Sequence, residues 1–170
     1  MLVLYREPMD LYDLVIHETR SLEPVLGLRI IVHASADRAG AADKVGYKSG
    51  CLIETDADRV RQVLSNLAAN SAAAGAAEVE VRVGRARHEG HGYVELEWAD
   101  DGPGFPATLL ESAFERFVRG TTARSTGGAG LGLSIVRAIV AAHDGTVAIR
   151  NGRPLSGAVV TIRLHPSARG

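Results

Sequence analysis

Cysteine is nearly missing from this 170-residue chain: Cys51 stands alone, so no internal disulfide can form. That excludes a disulfide-stapled scaffold and suits a reducing compartment. Lysine is scarce too; only Lys44 and Lys48 occur, and arginine carries the rest of the basic charge. No charge of one sign is in excess, with 20 acidic against 19 basic side chains and a net charge of −1. A chain so balanced gives no bulk reason to expect a nucleic-acid partner. No apolar run approaches the roughly 20 residues of a membrane span. The opening MLVLYREP is broken too soon to serve as a signal peptide. The expectation is a cytoplasmic protein with no membrane segment in this chain.

What is present is a globular composition, 46% hydrophobic and 23% charged, expected to form one domain over residues 1–170. Apolar positions at Leu11, Leu14, Val15 and Leu22 mark a helix over 10–26 that stops before Gly27. Residues 28–33 and 51–54 read as strands, and the Ala, Gly and Asp-rich stretch 34–50 between them as a loop. The clearest helix begins at a capping Asp56, carries Val60, Val63, Leu64 and Leu67 at i, i+3, i+4 and i+7, and ends near Gly75. Strands are expected over 78–83 and 93–98, joined by HEGHG as a hairpin loop whose His88 and His91 lack the partners of a metal site. A short helix near 107–113, an amphipathic one after the glycines of 127–132, and a closing hairpin of 146–149 with 158–164 complete the chain. This order suggests an α+β two-layer sandwich with helices on one face of the sheet.

Three segments point to chemistry. In GGAGLGLS (127–134), amides free of Cβ obstruction stand at the mouth of a helix, a place for phosphate oxygens. It is neither of two familiar phosphate loops: the glycines are not spaced GxGxxG after a strand, and Leu133 stands where a P-loop needs lysine. Alone, the run could be just a flexible hinge. From Arg116 to His143 there is no acidic residue, while Arg116, Arg119, Arg124 and Arg137 supply positive charge suited to polyphosphate. In DDGPGF (100–105), a carboxylate after a strand, followed by Gly102 and Gly104, offers an acceptor for an exocyclic amine and room for a flat ring. Asn66 and Asn70 lie at i and i+4 on one helix face, where two amides on an otherwise apolar stripe require partners. Such neutral oxygens suit a hydrated Mg²⁺ whose other ligands are substrate phosphates.

Taken in order, these segments resemble the catalytic ATP-binding domain of bacterial sensor histidine kinases, of the wider family shared with gyrase and MutL. DRVRQVLSNLAANSA (58–72) is similar to its N box, WADDGPGF (98–105) to its G1 box, FERFVRG (114–120) to its F box and GGAGLGLSIVRAIVAAHDG (127–145) to its G2 box. The resemblance implies the Bergerat-type fold, with helices on one face of a mixed, mainly antiparallel sheet. It implies ATP and Mg²⁺ as cofactors, Asn70 as metal ligand and Asp100 as the reader of adenine, with Gly102 and Gly104 beside it. Gly128, Gly130, Leu131 and Gly132 would form the lid and phosphate site, and Arg119 a phosphate contact. The implied acceptor is a histidine on a separate dimerisation protein or domain, serving a response regulator indirectly.

The departures are informative. Where the family carries a basic residue three positions after the second N-box asparagine, and an aromatic next to it, this chain has Ala73 and Ala74. That favours an alternative in which the domain binds and sequesters a partner, as anti-sigma relatives do, without phosphotransfer. ATPases of the superfamily place a glutamate four residues before the metal-binding asparagine; Asn66 stands there and cannot act as a base. His17, in H-E-x-R, echoes a phosphoacceptor motif but lies within the first helix with no proline at Leu22, and reads as a surface histidine. The chain therefore suggests either an excised catalytic domain or a stand-alone subunit of a split kinase.

Overall fold

Asp10 ends a short strand and opens the first helix, and both acts follow from its side chain. Its Oδ1 accepts from the Tyr12 and Asp13 N–H groups at 2.9 and 3.2 Å, capping α1 (Leu11–Leu26). The helix ends at Gly27, whose φ of +66° is the left-handed conformation that glycine adopts without strain. The structure is a computed structural model that describes residues 3–35, 50–110, 112–114 and 132–167.

The remaining elements, in order, are β1 (Glu7–Asp10) before α1, then β2 (Arg29–Ser35), β3 (Leu52–Thr55), α2 (Ala57–Ala73), β4 (Glu78–His88), β5 (His91–Asp100), α3 (Ala107–Leu110), α4 (Gly132–Ala142), β6 (Thr146–Asn151) and β7 (Ala158–Leu164). Five strands form one sheet in the order β2-β4-β5-β7-β6, parallel between β2 and β4 and antiparallel elsewhere. The sheet is therefore mixed and mainly antiparallel. β1 and β3 pair separately as a two-stranded antiparallel ribbon.

Strand alternation sorts the sheet into two faces. Val79, Val81 and Val83 of β4, Val94, Leu96 and Trp98 of β5, and Val160, Ile162 and Leu164 of β7 are buried in the core. They share that core with Leu14 and Val15 of α1, Val60, Val63, Leu64 and Leu67 of α2, and Val136, Ile139 and Val140 of α4. The alternate residues carry charge. Arg82 meets Glu80 at 2.6 Å, Arg150 meets Glu97 at 3.2 Å and Arg163 meets Glu95 at 2.8 Å. Half-exposed pairs of this kind contribute about 0–1 kcal/mol each, so the apolar face dominates stability.

Some expected boundaries moved. Residues 88–92 do not form a five-residue loop: His88 and His91 are paired, and only Glu89 and Gly90 turn, both at positive φ (50° and 81°). Two residues of that kind match the twist of the flanking strands. Of the helix expected near 107–113, the described residues show α3 over Ala107–Leu110 and a turn at 112–114. The strand β1 was not expected, because EPMD has neither alternation nor β-branched residues. Its pairing with β3 creates it, and Pro8 is tolerated on so short an edge.

α2 and α4 run antiparallel and are tied at the start of α2. His143, 6% exposed, accepts the Asp56 N–H at Nε2 (3.2 Å), so Nδ1 carries the hydrogen given to the Ile139 carbonyl (2.8 Å). The Asp56 side chain caps α2 through the N–H groups of Asp58 and Arg59 and also takes the Tyr5 N–H at 3.0 Å. The last of these is the main reason its carboxyl sits below the ordinary value of 3.8. Asp56→Ala is expected to cost about 1–2 kcal/mol in urea unfolding at neutral pH. Because the folded value is depressed, that gap is complete above pH 3.8 and closes as pH falls through the lower folded value.

Candidate functional site

The centre of the molecule is where α2 crosses the end of β5. The apolar stripe of α2 continues from Leu67 and Ala68 to Ser71, so Ser71 is buried, at 2% exposure, and Asn70 stands beside it at the edge. On β5, Trp98 and Asp100 are two residues apart and share the helix-facing side. Together these residues floor a cleft whose walls are Leu67, Leu133 and Val160 on the apolar side and Ala74, Gly104 and Phe105 at the rim.

Asp100 is 6% exposed and its carboxylate is met by donors on both oxygens. Oδ1 accepts from the Gly102 N–H at 3.0 Å and the Ala158 N–H at 3.1 Å, and Oδ2 accepts from the Ser71 hydroxyl at 2.8 Å. Its neighbour Asp101 points elsewhere, accepting from the Ala77 and Glu78 N–H groups at 2.8 and 3.0 Å. Those bonds, the one from Glu78 first, hold the Asp101 carboxyl below the ordinary carboxylate range. Strand alternation thus gives two adjacent aspartates separate tasks.

The loop after Asp100 is fixed by Asn151 of β6. Its Oδ1 accepts the Phe105 N–H at 2.9 Å and its Nδ2 donates to the Phe105 carbonyl at 2.6 Å. Gly104 has φ +71°, and a Cβ there would lie 2.6 Å from Asn151 Oδ1. Gly102 packs with its α-carbon toward Ala74 and Ala76. Ser71, Trp98, Asn151 and Gly157 were not singled out from sequence. The first two had a readable signal, as neighbours of Asn70 and Asp100 on the same buried faces. Asn151 and Gly157 had none, since they reach the site only through the closing hairpin.

Asn70 and Asn66 part company. The Asn70 Nδ2 is buried and has no hydrogen-bond partner among the described residues, and a Cβ on Gly132, the first residue of α4, would lie 2.9 Å from its Oδ1. Asn66 instead donates its Nδ2 to the Gln62 carbonyl of its own helix at 2.7 Å and does not line the cleft. Arg119, Gly128, Gly130 and Leu131 lie outside the described residues. His17 is exposed on α1. Cys51 is remote from the cleft, and burial, aided by Asp10, pushes its thiol up to about 11. Among the described residues no cluster of three His, Cys, Asp or Glu could hold a metal, and no helix is long and apolar enough to cross a membrane.

Residues 55–168 match the family of histidine kinase-, DNA gyrase B- and HSP90-like ATPases, and the chain belongs to that family. The probable sensor histidine kinase TcrY of Mycobacterium tuberculosis is 44% identical over 100 residues, which are 58% of this chain and 21% of TcrY. This chain therefore spans about a fifth of the length of that relative. The sensor histidine kinase component HK1 of the same organism is 34% identical over 137 residues, 79% of each chain. Among solved structures, the ATP-binding domain of PrrB from Mycobacterium tuberculosis superposes with a TM-score of 0.71 at 24% identity, covering 96% of this chain and 98% of that one. The fold is that of the histidine kinase ATP-binding domain, the Bergerat fold.

Gly157 offers a test of how tightly Asp100 is packed. Its N–H donates to the Asp100 carbonyl at 2.9 Å, and a Cβ there would collide with Asp100 Oδ1 and stand 2.6 Å from the Asp100 carbonyl oxygen. Gly157→Ala is expected to lower stability by about 1–3 kcal/mol in denaturant unfolding, the cost of overpacking a site that cannot yield.

Proposed function

We propose that the chain is the ATP-binding catalytic module of a sensor histidine kinase, one domain over residues 1–170 working in the cytoplasm. It transfers the γ-phosphoryl group of Mg-ATP to a histidine on another polypeptide or domain, and so serves a response regulator indirectly. One observation carries this reading: the buried Asp100 carboxylate, held by three donors, floors a largely apolar cleft with Asn70 at its edge. A flat, amine-bearing base fits that floor, and the unpartnered amide of Asn70 fits what the base is attached to.

Asn70 offers one neutral oxygen, which suits a Mg²⁺ that arrives with the nucleotide and keeps its waters and phosphate ligands. When bound, such an ion neutralises charge developing on the transferred group. The chain's own part is to bind and orient. Arg119, Gly128, Gly130, Leu131 and Gly132 are assigned to the phosphates and lid on the motifs they belong to. Water is a poor acceptor here. Asp100 is the only carboxylate among the described residues lining the cleft, three of its acceptor positions are filled and the remaining one faces the base, and Asn66 is bonded to its own helix. With no base for water among the described residues of the cleft, the γ-phosphoryl is kept for another nucleophile. The match to HK1 over 79% of both chains, a protein named as a component, supports an acceptor on a separate polypeptide.

A second reading is a nucleotide-binding regulator that sequesters a partner without phosphotransfer. Ala74 favours it: this residue forms part of the cleft wall, yet offers neither an aromatic surface nor a charge. Incubation with γ-labelled ATP, Mg²⁺ and a histidine-bearing dimerisation protein separates the two. The expected result is acid-labile label on the partner with little free phosphate released. Label that stays off the partner while nucleotide is bound supports the regulator. Rapid phosphate release without any partner would contradict the kinase reading.

A further inference from the structure

Trp98 is the chain's single tryptophan and is 1% exposed, yet its polar edge is directed at one side chain. The indole N–H donates to Ser71 Oγ at 3.1 Å. An indole nitrogen only donates, so the Ser71 oxygen must accept there and its own hydrogen is left for a different partner. That partner is Asp100 Oδ2, at 2.8 Å. A serine hydroxyl is ordinarily free to turn between donating and accepting; here the neighbour on one side decides its direction.

The consequence falls on Asp100. Oδ1 already takes two backbone N–H groups and Oδ2 takes the serine hydroxyl. A carboxylate has about four lone-pair sites, so what remains toward the cleft is one acceptor position on Oδ2. Ser71 cannot supply a donor beside it, because its hydrogen is committed. We infer that Ser71, oriented by Trp98, is a positioning residue that sets the base specificity of the cleft: it keeps the floor purely accepting. A purine with a 6-amino group satisfies that floor. One with a 6-oxo group sets lone pair against lone pair and leaves buried polar groups unpaired, which discriminates strongly. The inference rests on the reading of the cleft as an ATP site.

The relay is tested by isothermal titration calorimetry of the wild type, Ser71→Ala, Ser71→Thr and Trp98→Phe with Mg-ATP and Mg-inosine triphosphate, folding being checked by circular dichroism. The wild type is expected to prefer ATP. Ser71→Ala releases the Oδ2 end of Asp100, so its open acceptor position is no longer held toward the 6-amino group, and is expected to lose about tenfold in ATP affinity and little for inosine triphosphate, which makes no bond there. Trp98→Phe frees the serine hydroxyl to turn, and contracts the ratio by improving inosine triphosphate binding. Ser71→Thr keeps the hydroxyl and restores the preference. Equal losses for both nucleotides, or an unchanged ratio in Ser71→Ala and Trp98→Phe, would overturn the relay. A wild type that binds neither nucleotide at millimolar concentration defeats the ATP-site reading itself, and the relay with it. Wild-type binding of ATP beside unaltered ratios in the variants defeats the relay alone.

Discussion

A carboxylate held at 6% exposure must be met by donors, and Asp100 draws its donors from three places in the chain. Ser71 comes from α2, Gly102 from the loop that follows β5, and Ala158 from the first residue of β7. Each brings its element with it. The hydroxyl fixes the rotation of α2 over the sheet, the Gly102 N–H curls the loop, and the Ala158 N–H sets the register at which the closing hairpin meets β5. Gly157, adjacent to Ala158, must then lack a side chain, because the hairpin passes directly against the carboxylate it supports. Removing the Ser71 donor would leave Trp98 with an unsatisfied indole N–H as well, so the group behaves as a unit.

The sheet makes this economy possible by separating its two faces. The helix-facing side is almost wholly branched aliphatic, with Trp98 as its one aromatic among the β4, β5 and β7 residues of the core. The opposite side is a set of cross-strand ion pairs around Glu95 and Glu97. Among the buried residues of β4, β5 and β7 the polar one is Asp100, and it meets Ser71 of α2 at the cleft. A small number of converging polar groups in an apolar surround is what a binding site requires. The charged face, by contrast, contributes little to stability and is solvated.

Much of this was legible in the sequence, and the gaps have physical causes. Long, periodic segments were readable: α2 from its Val60-Val63-Leu64-Leu67 stripe, and α4 from Ile135 to Val140. β1 was not, because pairing with β3 rather than its own composition makes it a strand. Asp100 and Asn70 stood out because a carboxylate followed by glycines, and an amide on an apolar stripe, are costly unless used. Asn151 and Gly157 did not stand out, since a turn glycine and an exposed asparagine have many ordinary reasons to exist. Their importance lies in contacts made across 46 and 57 positions of chain, to Phe105 and to Asp100, which no local pattern carries. The pairing of Asn66 with Asn70 illustrates the opposite error of helical spacing. Two amides at i and i+4 share a face in projection, but Asn66 finds its partner in the Gln62 carbonyl of its own helix and leaves the cleft to Asn70.

The antiparallel contact of α2 with α4 bears on how the glycines before α4 are used. At one end of the pair, His143 receives the Asp56 N–H; at the other, a Cβ on Gly132 would lie 2.9 Å from Asn70 Oδ1, so a side chain there would push the amide aside. α4 thus meets α2 at both of its ends. Glycine at position 132 is explained by that contact with Asn70, before any ligand is considered. Gly132 therefore sits at the edge of the cleft, next to the one amide whose Nδ2 lacks a partner among the described residues. A group that satisfies the Asn70 amide would, by the same contact, bear on the entry to α4. Binding at the cleft would in this way reach the first residue of α4 through a single side chain.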